Sequence, residues 1–196
     1  MGGALFLPPR GARARRVVIR RALSACRAAL IVLLATLSAA PVVAAETLVD
    51  ARTFVAEAFP GVQAETGMLW LTPEIRAEAA RVLGREPAVL RQRYWKHGAR
   101  TAWILEEIGK EEPITAGFVV EDGRLVGARL LIYRESRGWE IRYPYFLDQF
   151  ADARLDEALQ LDRPIDGISG ATLSVRAMQT MARLALLYHA RSTKGG

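Results

Sequence analysis

The segment of this sequence best suited to chemistry is DGISGATLS, residues 166–174. Gly167 and Gly170 permit tight turns and let the backbone approach a ligand closely. Thr172 presents a hydroxyl group where a helix is predicted to begin, and the free N–H groups and helix dipole at such a position favour a bound phosphate. The residues alone also fit an ordinary helix whose N-cap is Ser169, Thr172 or Ser174.

Short runs of branched and aromatic residues predict a set of β-strands in the middle of the chain. The runs are LRQRYW from residue 90, TAWILEE from 101, ITAGFVV from 114 and LVGARLLIY from 125. The last two are joined by EDGR, in which Asp122 and Gly123 tolerate the positive φ of a tight turn. These two strands are therefore predicted to form an antiparallel hairpin.

Helices are predicted on both sides of these strands. Residues 46–59 show apolar residues at helical spacing, and a second helix starts at Thr72 and Pro73 and ends at Gly84. A third helix is predicted for residues 174–189, directly after the glycine-containing segment. The pattern predicts an α+β fold in which helices flank a curved antiparallel sheet, with the glycine-containing segment at the edge of the sheet.

The basic charge of the chain is concentrated near its N-terminus. Of 196 residues, 27 are Lys or Arg and 21 are Asp or Glu, for a net charge of +6. Seven arginines lie in residues 1–45, which hold no acidic residue, so the rest of the chain has 20 basic against 21 acidic residues. Because that part has no excess of positive charge, we expect no nucleic-acid partner.

Residues 1–45 have the three parts of a secretory signal peptide. An arginine-rich head is followed by the apolar run AALIVLLATL at residues 28–37 and by the small residues VAA, which end at Ala45. We expect cleavage after Ala45, which leaves a single domain of residues 46–196 in the periplasm or outside the cell. The alternative is an uncleaved membrane anchor, although the apolar run is shorter than the roughly 20 residues that span a bilayer.

Redox chemistry in the predicted domain requires an organic cofactor. The single cysteine of the chain, Cys26, lies in the predicted signal peptide, so disulfides, iron–sulfur clusters and covalent haem attachment are excluded from the domain. His97 and His189 are far apart in the sequence and form no local metal-binding motif. No GxGxxG sequence follows a predicted strand, which argues against a nicotinamide dinucleotide site.

The string SGAT, with Asp166 three residues before it and a helix after it, resembles the flavinylation motif of the FMN-binding domain family. That family includes the C subunit of the sodium-translocating NADH:quinone oxidoreductase, the G subunit of the Rnf complex and small exported proteins. The resemblance implies that a dedicated flavin transferase, which uses FAD and magnesium, joins FMN to Thr172 through a phosphoester. The other motif residues that it assigns to the cofactor site are Asp166, Ser169, Gly170, Ala171 and Leu173.

A second similarity lies upstream, in residues 114–141, which resemble the family's strand pair and the loop that follows it. Glu135 and Gly138 match the glutamate and glycine of that loop, which the resemblance places near the flavin. Trp139 is assigned to the site as well, because a flat amphipathic ring suits stacking on a flavin. Larger members of the family have a proline-containing loop here, where this chain has Ser136, Arg137 and Trp139.

The resemblance implies an electron-transfer module outside the cytoplasmic membrane. Its expected partners are the flavin transferase and a membrane-bound electron donor or acceptor. One alternative is an FMN-dependent reductase of a small acceptor such as a ferric chelate or quinone, and another is a binding domain that keeps the fold without flavin. A carrier fits better than a complete substrate-specific oxidoreductase, because no catalytic base is paired with a nucleophile in the sequence.

Overall fold

The structure, a computed structural model, describes residues 46–193, so the predicted signal peptide lies outside the described residues. The strands are β1 (Glu46–Thr47), β2 (Glu65–Trp70), β3 (Arg91–His97), β4 (Arg100–Ile108), β5 (Pro113–Glu121) and β6 (Arg124–Tyr133). The α-helices are α1 (Ala51–Ala58), α2 (Pro73–Leu83), α3 (Pro144–Leu147) and α4 (Thr172–Ser192). Two short 3₁₀ helices span Trp139–Arg142 and Asp148–Phe150.

The six strands form one open antiparallel sheet in the order β1-β6-β5-β4-β3-β2. From β2 to β6 every strand pairs with its neighbour in the chain, and β1 adds to the outer edge of β6. The register of β5 against β6 shifts between Thr115 and Ala116 and again between Val119 and Val120. Such bulges bend a strand and increase its twist. The predicted α+β fold, a curved antiparallel sheet flanked by helices, is confirmed.

The predicted hairpin of β5 and β6 is confirmed as well. Glu121 pairs with Arg124 at the end of the two strands. The central residues of the turn, Asp122 and Gly123, have φ values of 50° and 72°. Positive φ at both positions is typical of the type I′ turn, whose twist matches that of the strands it connects.

The helix predicted for residues 46–59 is shorter than expected. Its first two residues form β1 and pair with the end of β6. Helix α1 begins only after Asp50, whose carboxylate accepts hydrogen bonds from the N–H groups of Arg52 (2.9 Å) and Thr53 (3.1 Å). The prediction was wrong at residues 46–50, because strand pairing and an N-cap carboxylate, rather than apolar spacing, set the start of the helix.

The other two predicted helices are confirmed. Helix α2 begins after Thr72, whose hydroxyl accepts a hydrogen bond from the N–H group of Ile75 at 3.4 Å, and it ends at Gly84 with φ of 71°. Helix α4 begins at Thr172 and ends at Ser192, so it is longer at both ends than the sequence predicts. No helix within residues 46–193 has the length and hydrophobicity needed to cross a lipid bilayer.

The sheet separates two apolar layers. On one face, α2 and α4 pack over the larger core, in which Trp103, Phe118, Met178 and Met181 are fully buried. On the other face, α1 places Phe54 against the sheet. Because the inner side of α4 belongs to the larger core, the first turn of this helix is held in a fixed position relative to the strands.

Candidate functional site

Three segments of the chain meet at the N-terminus of α4 and line a cleft of about 510 Å³. The turn between β4 and β5 contributes Lys110 and Glu111, the loop after β6 contributes residues 135–137, and the start of α4 contributes residues 170–174. The second and third segments are those that the sequence analysis selected. The first was missed, because its contribution depends on the pairing of β4 with β5 and on no motif of its own.

Glu135 connects the loop after β6 to the turn between β4 and β5. Its Oε1 atom accepts hydrogen bonds from the backbone N–H groups of Lys110, Glu111 (2.7 Å) and Glu112 (3.1 Å). Partial burial alone would raise the pKa of Glu135, but these three hydrogen bonds and the charge of Lys110 outweigh it and lower the pKa below its ordinary value. The carboxylate therefore remains ionised and holds the two walls of the cleft together.

Gly109 leaves room for this contact. A Cβ atom at this position would lie 2.7 Å from Oε1 of Glu135 and 2.9 Å from a methyl carbon of Ile114. A side chain here would therefore push the carboxylate away from the backbone N–H groups that bind it. The sequence signal for this requirement is the glycine that follows β4, which the sequence analysis did not use.

Gly138 brings the loop after β6 into contact with the SGAT segment. Its φ of 81° lies in the left-handed region, which glycine adopts without strain. A Cβ atom on Gly138 would lie 2.9 Å from Cβ of Ala171 and 3.0 Å from the hydroxyl oxygen of Tyr133. The structure thus places the two separately predicted parts of the site, Gly138 and Ala171, in direct contact.

Tyr133 also holds the loop after β6 in place. The side chain is buried, its hydroxyl group donates to the backbone carbonyl of Arg137, and its oxygen lies 3.3 Å from Oγ of Ser174. Burial raises the pKa of Tyr133, and the charges of Glu135 and Glu140 act in the same direction, so the hydroxyl stays protonated and available as a donor. The sequence analysis missed this residue, whose signal is its place at the end of β6.

Thr172 is the first residue of α4, and its side chain is exposed at the cleft. The N-cap residue is Ala171, and no side chain within residues 46–193 caps this helix. The first intrahelical bond runs from the N–H group of Val175 to the carbonyl of Ala171 at 2.9 Å. The N–H groups of residues 172–174 therefore have no intrahelical acceptor. A side-chain N-cap, the alternative reading of this segment, is not what the structure contains.

The remaining predicted residues divide into two groups. Gly170, Ala171 and Leu173 line the cleft, and the side chain of Leu173 is 42% exposed there. Asp166 and Ser169 are exposed and precede these residues in the chain, and they do not line the cleft. The N–H group of Asp166 donates to the side-chain carbonyl of Gln149 at 2.6 Å, and this bond positions the segment that leads to α4.

Trp139 also lies outside the lining of the cleft. It follows Gly138 directly and packs edge-on against Tyr143, with ring centroids 5.3 Å apart. The guanidinium group of Arg142 lies over the Trp139 ring at 5.0 Å. The structure thus places this tryptophan in an exposed aromatic cluster beside the cleft.

The cleft has the features required by a flat ligand that carries a phosphate. Its volume falls within the range of about 300–1,000 Å³ that is usual for small-molecule sites. Leu173 supplies apolar surface, and the first turn of α4 supplies free N–H groups at the positive end of its dipole. Arg137 adds positive charge at one wall, whereas the charge of Lys110 is paired with Glu111 at 2.9 Å. These features of the α+β domain suit a phosphate-bearing organic cofactor.

Comparison with protein families identifies this cofactor. Residues 109–187 match the model of the FMN-binding domain family, and this part of the chain belongs to that family. The matched residues include β5, β6, most of α4 and every residue that lines the cleft. The protein is thus a flavoprotein with FMN as its cofactor. None of the curated proteins compared with the chain matches it.

Proposed function

We propose that FMN is joined covalently to Oγ1 of Thr172 through a phosphoester and that the protein carries electrons outside the cytoplasmic membrane. The observation that supports this most directly is the position of Thr172. Its hydroxyl-bearing side chain is exposed, lies at the cleft of an FMN-binding domain, and belongs to the first residue of α4. A phosphate on this oxygen would lie beside the free N–H groups of the first helical turn.

The proposed attachment is a phosphoryl transfer from FAD. The bond between Oγ1 of Thr172 and the phosphorus of the FMN half forms, the pyrophosphate P–O bond of FAD breaks, and AMP leaves. The hydroxyl proton passes to a base of the flavin transferase, which uses magnesium to balance the phosphate charge. An exposed nucleophile is required, because the active site of a second protein must reach it.

The residues of this chain then bind and orient the cofactor. The first turn of α4 would hold the phosphate, Leu173 would offer apolar surface to the cofactor, and Arg137 would place positive charge at the wall of the cleft. Glu135 and Gly138 maintain the shape of the cleft through the contacts described above. When bound, FMN supplies one-electron and two-electron redox chemistry.

A tethered cofactor suits a carrier in a compartment without a pool of free flavin, because a covalent bond prevents its loss by dilution. Residues 1–45 support such a location, since they have the composition of a secretory signal. The proposal therefore includes the flavin transferase as the modifying partner and a membrane-bound protein as electron donor or acceptor.

The experiment is coexpression of the chain with a flavin transferase, followed by intact-mass measurement and peptide mapping. We expect one FMN per chain on the peptide that contains Thr172, and none in Thr172→Ala. Thr180→Ala is a matched control, because it removes a threonine two turns further along α4 and should leave the modification intact. Unmodified wild-type protein, or FMN mapped to another residue, would contradict the proposal.

A further inference from the structure

A second pocket, separate from the cofactor cleft, lies between α4 and the segment that precedes the SGAT motif. Its volume is about 330 Å³. The polar side chains that line it are Gln160, Arg163, Arg176, Gln179, Thr180 and Arg183. None of the residues that line this pocket is acidic, and none of them lines the cofactor cleft. We call it the arginine pocket.

Arg163 is a fixed part of the wall. Its two terminal nitrogens donate to the backbone carbonyls of Ala151 (2.7 Å) and Asp152 (3.2 Å), and its Nε lies 3.4 Å from a carboxylate oxygen of Asp162. These contacts tie the segment before the motif to the end of the second 3₁₀ helix. Since its donors are largely used and its charge is offset by the ion pair with Asp162, Arg163 mainly fixes the shape of the wall.

Arg183 is only partly satisfied. Its Nε donates to the carbonyl of Leu159 at 2.6 Å, and no carboxylate of residues 46–193 lies within ion-pair distance of it. Burial lowers the pKa of Arg183, and the more distant charge of Asp156 only partly opposes this effect. A guanidinium taken partly out of water without a bonded counterion is a costly arrangement, which a bound anion would relieve.

Arg176 provides a third guanidinium, and it is exposed. Within residues 46–193 it forms neither an ion pair nor a side-chain hydrogen bond. Since it follows Thr172 by four residues, both side chains lie on the same face of α4, about 6 Å apart along the helix axis. Arg176, in the wall of the arginine pocket, thus lies about one helical turn from Thr172, the proposed attachment residue.

We propose that the arginine pocket binds a polyvalent oxyanion of the phosphate type, such as pyrophosphate or a phosphate ester. Guanidinium groups match the oxygen geometry of phosphate with paired, charge-assisted hydrogen bonds. The amide groups of Gln160 and Gln179 and the hydroxyl of Thr180 add neutral donors. This inference does not depend on covalent flavin attachment, because the two sites share no residue.

The test is titration of the full chain with inorganic pyrophosphate at constant ionic strength, followed by calorimetry and by NMR of the arginine Nε–H signals. We expect saturable binding with shifts at Arg176 and Arg183, and weaker binding of inorganic phosphate. Arg176→Gln should raise the dissociation constant about tenfold, since it removes a charge-assisted contact. This variant breaks no hydrogen bond within the described residues, so its fold should be retained.

Arg93→Gln is the matched control, because Arg93 is an exposed arginine on β3 that lines a different pocket. It should bind pyrophosphate as the wild type does. Citrate at equal ionic strength tests whether charge alone is sufficient. The proposal is overturned if binding does not saturate, if Arg176→Gln and Arg93→Gln behave alike, or if citrate binds as tightly as pyrophosphate.

Discussion

A Cβ atom on Gly138 would lie 2.9 Å from the side-chain carbon of Ala171, although the two residues are 33 positions apart in the chain. This contact joins the loop after β6 to the SGAT segment. It explains why a glycine is required at the first position and a small residue at the second. The cofactor cleft is thus built on a close approach that two larger side chains would prevent.

Gly138→Ala should destabilise the protein by about 2–3 kcal/mol, because it combines left-handed backbone strain with a steric clash. It should also slow the proposed attachment of FMN to Thr172. Two controls separate the causes: Gly123→Ala has strain but no neighbour within 4 Å, and Gly127→Ala has neither positive φ nor a contact closer than 3.8 Å. We expect a loss of about 1–2 kcal/mol for Gly123→Ala and little change for Gly127→Ala. Equal urea unfolding midpoints for all three variants would refute the contact.

Glu135→Gln should cost about 1–3 kcal/mol at neutral pH, because a neutral amide replaces a carboxylate that accepts three backbone hydrogen bonds. Glu111→Gln, in the same turn, is the control and should have little effect.

The pKa of Glu135 is lowered in the folded state from 4.5, so its contribution to the free energy of unfolding is present above about pH 4.5 and is lost as the pH falls through the folded value. Urea unfolding across this range measures it. A wild type and variant that differ equally at every pH would contradict this assignment.

His189 should make the fold sensitive to mild acid. Its Nδ1 atom lies 2.8 Å from the hydroxyl oxygen of Thr101, which also accepts a hydrogen bond from the indole N–H of Trp103. Burial lowers the pKa of His189 from 6.5, and the charge of Asp122 opposes this only in part. A lowered folded pKa means that its contribution to stability is complete above about pH 6.5 and is lost as the pH falls.

The measurement for His189 is the free energy of unfolding at pH about 7.5 and about 5.5. The wild type should be less stable at the lower pH, and His189→Asn should reduce this difference. His97→Asn is the control, because His97 is exposed at the end of β3. An NMR titration should give a pKa for His189 below its ordinary value of 6.5. A value above 6.5 would show that the buried site tolerates the charged ring.

Export of the chain should release a protein that begins at Glu46. In the structure Glu46 pairs with Tyr133 as the first described residue of β1, so cleavage after Ala45 would leave all the described strands in the product. N-terminal sequencing of the exported protein tests this. Recovery of the intact chain in the membrane fraction would instead support an uncleaved anchor.

The parts of the fold that the sequence predicts are those with local signals. The β5–β6 hairpin follows from Asp122 and Gly123, and α2 follows from its threonine cap and terminal glycine. Strand β2 was missed because most of its residues are exposed and Gly67 interrupts it. That glycine is explained only by tertiary structure, since the ring of Tyr94 covers it and a Cβ atom would lie 2.3 Å away.

The candidate site also contains residues that the sequence predicts and residues that only the tertiary structure reveals. The SGAT segment and Glu135 are visible in the sequence because their residue types form a recognisable pattern. The turn that binds Glu135 is not visible, since it acts through backbone N–H groups that any residue but proline supplies. Tyr133 and Ser174 become part of the site only when β6 and α4 are brought together.

Helix α4 begins at Thr172 and has its inner side packed in the main core along most of its length. If FMN is attached to this first residue, only its phosphate and ribityl chain would separate the flavin ring from a rigid helix. That short chain allows local rotation, but it would not let the ring move between distant partner sites as a lipoyl-type arm does. Electron exchange would require each partner to come to the mouth of the cleft in turn, so the speed of transfer would depend on encounters between proteins.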